Sequence, residues 1–185
     1  MTFSELLIQE HALIRRALAV LEKMTENAEN GVPAGKHDVN ALLIFLHYFA
    51  DAYHQGKEED VLFPLLRQSQ STLRMEDRMR SQLEALLREH NEERSLIERT
   101  QLTLFSENTS GFIENARKLK QILSEHALKE EQVLFPMAEK ILTPAEAQDA
   151  SLRMEQADAK FGSAQGKLLL ELLQELEERY LQKAA

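Results

Sequence analysis

His54-Gln55-Gly56-Lys57-Glu58-Glu59-Asp60-Val61-Leu62-Phe63-Pro64-Leu65 returns 72 positions later as His126-Ala127-Leu128-Lys129-Glu130-Glu131-Gln132-Val133-Leu134-Phe135-Pro136-Met137. Eight of the twelve positions are identical, and both copies keep the frame HxxKEExVLFP. On an α-helix four residues turn the chain by about 400°, so each His and its Glu stand about 40° apart and about 6 Å along the axis. An imidazole and a carboxylate so placed can hold one metal ion, or the carboxylate can bridge two. Two copies on two helices would make a dinuclear site.

A second repeat extends the first. Leu7-Ile8-Gln9-Glu10-His11 and Leu86-Leu87-Arg88-Glu89-His90 share the form Leu-apolar-polar-Glu-His. The first 140 residues then divide into two helical hairpins, each with one His on its first helix and a HisxxxGlu pair on its second. The predicted inward stripes follow helical spacing: Leu7, His11, Ile14, Leu18, Leu21; then Leu43, His47, Ala50, His54, Glu58, Val61, Leu65; then Leu83, Leu87, His90, Ile97; then Leu119, Leu123, His126, Glu130, Val133, Met137. Thr2 or Ser4 is expected to cap the first helix, with Glu5 in its first turn. Gly31 to Gly35 reads as a loop, Gln68 to Thr72 as a turn, and Ser106 to Gly111 as a break between helices of about 73 to 105 and 112 to 142. Thr143-Pro144 opens a further helix to about 160. After a break at Gly162 to Gly166, a last helix carries Leu169, Leu172, Leu173, Leu176 and Tyr180.

Short connections give an all-α fold, an antiparallel up-down-up-down four-helix bundle over residues 1–142, the scaffold that builds metal sites from facing inward residues. Residues 143–185 form a histidine-free helical extension that packs on the bundle or on a partner. Composition agrees: 43% hydrophobic and 29% charged residues, with only 6 Gly and 4 Pro in 185, favour a helical domain. A net charge of −9, spread along the chain, speaks against nucleic acid as a partner. With no cysteine, thiolate zinc, iron-sulfur and disulfide chemistry are excluded. No apolar run reaches the ~20 residues of a membrane span, and the amino terminus has no basic stretch before an apolar one, so a cytoplasmic location is expected.

His11, His54, Glu58, His90, His126 and Glu130 are therefore the candidate metal ligands. Each lies on an apolar stripe, where an unpaired polar group is costly. Six nitrogen and oxygen donors exceed the three or four that one zinc takes, but suit two ions spanned by carboxylates. The spacing H…HxxxE…H…HxxxE, with KEExVLFP around each pair, resembles the bacterial hemerythrin-like (HHE cation-binding) family over residues 3 to 142. That resemblance implies a non-haem di-iron centre, carboxylate- and oxo- or hydroxo-bridged, ahead of zinc or manganese. Its terminal ligands would be His11, His54, His90 and His126, with Glu58 and Glu130 bridging. It also implies a small diatomic ligand or peroxide as the binding partner, in sensing, detoxification or iron handling.

Two departures narrow this. Oxygen-carrying hemerythrins place a second histidine one turn after the third-helix histidine, where this chain has Arg94; their last pair is one residue wider and ends in Asp. Oxygen transport does not follow, and Glu93 could fill the missing ligand position. Lys57, Glu59, Lys129 and Glu131 are expected outside, facing solvent or paired with one another. His47 is expected in the core or hydrogen-bonded behind a ligand, and His37 on the surface. Pro64 and Pro136 should kink or end their helices. Two other readings stay open: an enzyme turning over peroxide or nitric oxide at the same centre, and a helical interaction module without a functional metal. In the latter, the final helix (Leu168 to Leu181) could supply a homodimer surface or cover one end of the bundle.

Overall fold

Thr2 starts the chain's first helix by a reciprocal cap. Its hydroxyl accepts from the Glu5 amide at 3.2 Å, and Glu5 accepts from the Thr2 amide at 2.9 Å. The computed structural model describes residues 1–68, 76–161 and 164–182, and among them there are helices and no strand. Helix α1 (Phe3–Glu29) ends at Gly31, whose φ of 77° suits glycine. A second rod follows without a break: α2 (Lys36–Phe45), π-helical segments Leu46–Gln55 and Glu58–Leu62, and α3 (Phe63–Gln68). Helix α4 (Glu76–Phe105) is the third rod. The fourth joins α5 (Thr109–Lys129), a π-helical segment Glu130–Leu134 and α6 (Phe135–Ile141). Helices α7 (Pro144–Phe161) and α8 (Ala164–Tyr180) complete the described chain. Residues 69–72 of the expected turn lie outside the described residues, as do 162 and 163 of the break expected at 162–166, whose remaining residues 164–166 are already helical in α8.

Both repeated EExVL runs are π-helical, and the prolines explain why. Pro64 and Pro136 have no amide proton, and in an α-helix the ring would clash with the carbonyl four residues back. The wide turn moves the ladder by one residue: the Phe63 and Phe135 amides bond to the Glu58 and Glu130 carbonyls. In the first copy the carbonyl left over at Asp60 accepts from Arg153 of α7 at 2.9 Å. Neither proline ends its rod, contrary to one of the two outcomes expected at those positions; both rods continue as helix to Gln68 and Ile141.

The extra residue also rotates the remainder of each rod. Val133, expected inward, is exposed while Leu134 is fully buried. Its counterpart Val61 stays buried because α7 lies against that π segment, bringing Ala150 and Met154 into the same cluster.

Helices α1 and α5 pack together, as do α4 and α5, α1 and α2, and α2 and α4. Their inward residues form two apolar clusters. One holds Ile14, Leu18, Leu21, Phe45, Phe49, Leu96 and Leu123, closed by Leu169, Leu173 and Leu176 of α8. The other holds Phe3, Leu7, Leu62, Phe63, Leu83, Leu86, Leu134 and Phe135. Each fully buried Leu or Phe contributes about 2 to 3 kcal/mol of transfer free energy. Helix α8 is further tied by Arg16 to Glu177, and by Arg179 and Tyr180 to Asp38. No helix among the described residues is long and apolar enough to cross a membrane.

Candidate metal centre

Between the two apolar clusters lies a polar layer. His11 sits between Leu7 of one cluster and Ile14 of the other; His90 sits likewise between Leu86 and Leu96, and His126 between Leu123 and Leu134. His11, His54, Glu58, His90, His126 and Glu130 are all at most 2% exposed. They converge in two overlapping groups, His11 with His54, Glu58 and Glu130, and His90 with His126, Glu58 and Glu130. Within each group the ligand atoms lie within 4.8 Å of one another. Each group holds an imidazole pair set edge to face, with ring centroids 4.6 Å apart for His11–His54 and 4.7 Å for His90–His126. Phe135 stacks on His11 and Phe63 on His90, so the aromatic residue of each VLFP run walls one imidazole of the site.

The Nε2 atoms face inward. His11 Nε2 is 3.2 Å and His126 Nε2 3.1 Å from Glu130; His90 Nε2 and His54 Nε2 are 3.5 and 3.8 Å from Glu58. Six of these inward atoms are buried with no hydrogen-bond partner: Nε2 of His11 and His54, and both oxygens of Glu58 and Glu130. Buried polar groups are ordinarily satisfied, so a cluster of orphaned donor atoms fits a cation.

The Nδ1 atoms face outward, and each meets a carboxylate from another rod. His11 meets Glu131 at 2.8 Å, His54 meets Glu10 at 2.8 Å, His90 meets Glu59 at 2.7 Å and His126 meets Glu89 at 2.9 Å. These carboxylates hold Nδ1–H as a donor and leave the Nε2 lone pair for the interior. Arg15 braces Glu131 at 2.7 Å and Arg94 braces Glu59 at 2.6 Å, each one turn beyond the histidine of its own helix. Position 94 therefore carries a brace for the outer shell.

The charges are set by this surrounding. Burial works against a charged His90, but the adjacent Glu58 and Glu59 carboxylates outweigh it and raise its pKa to about 9. His54 is raised the same way, by Glu58 and Glu10 against burial, and His126 is raised well above the ordinary value by Glu130 and Glu89. Burial disfavours the Glu130 carboxylate, yet His126 and His11 hold it well below the usual range. The His90 hydrogen bond, with Arg94, lowers Glu59 to about 2. His90 Nε2 and His126 Nε2 lie 3.0 Å apart, so one of the two must accept from the other; the carboxylates favour protons on this layer, and a cation would displace them.

Several outer residues differ from expectation. Glu59 and Glu131 turn onto His90 and His11, because the neighbouring rods come close enough to take them. Lys57, expected outside, is 3% exposed and bonded to Glu10 and Asp158, whereas Lys129 is half exposed and bonded to Glu89. Glu93, a candidate ligand, is buried. It accepts from Gln55, its Oε1 has no partner, and burial raises its pKa. It belongs to neither converging group, although Oε1 is 3.9 Å from His126 Nδ1. His47 is 52% exposed beside Asp51, so it leaves the core, and His37 is on the surface. Glu10 and Glu89, which meet His54 and His126, are not singled out by spacing alone, although both stand in the repeated Glu-His step.

No curated protein and no solved structure matches the chain. The model of one family does, over residues 2–138, the span that contains all six converging residues and all four outer carboxylates. On that match the chain belongs to the hemerythrin family, the HHE cation-binding domains.

Proposed function

We infer that the chain is a non-haem di-iron protein that binds or reacts with dioxygen, peroxide or nitric oxide. The supporting observation is that two groups of donor atoms share Glu58 and Glu130 and point orphaned atoms at common space. In this reading His11 and His54 would hold one ion and His90 and His126 the other, with Glu58 and Glu130 offering oxygens to both. Nitrogen and oxygen donors without sulfur, with bridging carboxylates, favour iron ahead of zinc or manganese. Iron there would supply electrons and an open coordination position to the small molecule. The rods are read as an up-down-up-down bundle over residues 1–142, with 143–185 as an extension.

The chain's own residues have three tasks. Glu10, Glu59, Glu89 and Glu131 orient the imidazoles and keep each Nδ1 protonated. Glu58 and Glu130 balance cationic charge inside a layer that water would otherwise have to solvate. Phe63, Phe135 and the leucines on both sides exclude bulk water, which strengthens every electrostatic interaction within.

Metal analysis with an absorption spectrum of air-exposed protein tests this. About two irons per chain, with near-ultraviolet charge-transfer bands, are expected. One zinc and a featureless spectrum would refute it. Consumption of peroxide or nitric oxide beyond the amount of protein would make the centre an enzyme and not a binder or sensor.

A further inference from the structure

The two halves of the centre repeat each other down to the outer carboxylates, but they are not backed alike. Behind His126, Glu89 bonds to Lys129 at 2.6 Å, and that lysine is half exposed to water. Behind His54, Glu10 bonds to Lys57, the same residue of the repeat, which is buried. Lys57 Nζ also bonds to Asp158 of α7 at 2.7 Å, and the Tyr53 hydroxyl donates to the same Asp158 oxygen at 2.5 Å. The Tyr53 ring stacks on Phe161, the last residue of α7, with centroids 3.9 Å apart. A continuous run of short polar contacts therefore links α7 to the Nδ1 atom of His54 through Lys57, and among the described residues none links a further helix to His126 through Lys129; behind His90, Glu59 is held by Arg94, which Asp51 of the second rod accepts from at 2.6 Å.

We propose that α7 is a positioning element for the cation position formed by His11 and His54, acting through Asp158, Lys57 and Glu10. This rests on reading the cluster as a metal centre. An exposed ion pair such as Lys129–Glu89 is screened and holds its partner weakly. The buried Lys57 ammonium has three oxygen partners, Glu10, Asp158 and the Tyr53 hydroxyl at 3.3 Å, and so fixes the Glu10 carboxylate and through it the imidazole. The two cation positions are then unequal. Linkage makes the coupling reciprocal: if α7 steadies the ion at His11 and His54, that ion steadies α7.

The test uses the full chain loaded with cobalt(II) and stripped by a chelator, with release followed by visible absorption. Asp158→Asn keeps the side chain's size and removes its charge. It is expected to speed release of one cobalt by about ten-fold and leave the other within about three-fold. Lys129→Gln, the mirror position, is expected to leave both within about three-fold. Independently of any variant, cobalt is expected to slow amide hydrogen exchange across residues 150–161 of the unaltered protein about five-fold or more. The proposal is overturned if Asp158→Asn releases both ions at the unaltered rate or speeds both alike. It is equally overturned if Lys129→Gln has the same effect, or if exchange in 150–161 does not respond to cobalt. Failure of the unaltered chain to bind cobalt overturns the metal reading too; two bound ions with no effect of Asp158→Asn overturn only this inference.

Discussion

Raising the pH from 7 to 9 is expected to tighten metal binding by about fifty-fold through His90 alone. Metal needs the neutral ring, but in the metal-free protein the adjacent Glu58 and Glu59 carboxylates overcome burial and raise the pKa of His90 to about 9. Neutralising such a group at pH 7 costs about 2.7 kcal/mol, a competition of roughly a hundred-fold, and at pH 9 that competition has shrunk to about two-fold. His54 is shifted in the same direction and steepens the dependence further. The measurement is competition for cobalt(II) against a chromophoric chelator whose own pH dependence is known, from pH 6.5 to 9. Calorimetry in two buffers of different ionisation heat would count the protons, with about one or more released per chain at pH 7. An affinity that stays level between pH 7 and 9, with no proton release, would refute the picture of imidazolium groups held by carboxylates.

The same shift gives the metal-free fold a pH signature. His90 stabilises it fully below about pH 6.5, its unfolded value, and that contribution is lost as pH rises through about 9. Thermal unfolding of chelated protein should therefore move to lower temperature between pH 6.5 and 9. Glu59 works with the opposite sign, its contribution present above about pH 4.5 and lost as pH falls through about 2. Phe63→Ala and Phe135→Ala each remove a fully buried ring stacked on a site imidazole, so each should cost about 3 to 5 kcal/mol in urea unfolding and loosen metal as well. Gly111→Ala would put a Cβ 2.6 Å from the Asn108 side chain, whose oxygen caps α5. It should cost about 1 to 2 kcal/mol yet leave metal stoichiometry unchanged, since the cap lies far along the rod from the site.

Much of the centre is legible in the sequence, because its parts are local. The interval from His54 to Glu58, or from His126 to Glu130, is one helical turn, and a turn's geometry is dictated by the backbone. The caps at Thr2 and at Thr143, where the hydroxyl and Glu146 bond reciprocally, are equally short-range. The outer carboxylates left a trace as well: Glu10 and Glu89, and Glu59 and Glu131, are identical between the repeats. Identity marks a shared role without naming it, and a residue about 100° around its helix from a ligand reads as solvent-facing until the neighbouring rod is in place.

What only the tertiary structure decided is which faces are covered. Lys57 and Lys129 occupy the same position of the same motif, as do Val61 and Val133, yet the first of each pair is buried and the second is open. The motif cannot tell them apart, since the difference comes from α7, some ninety residues away in the chain from Lys57. Side-chain spacing along one helix follows from bond geometry within a turn; burial depends on what long-range packing lays over it, and that belongs to the whole fold.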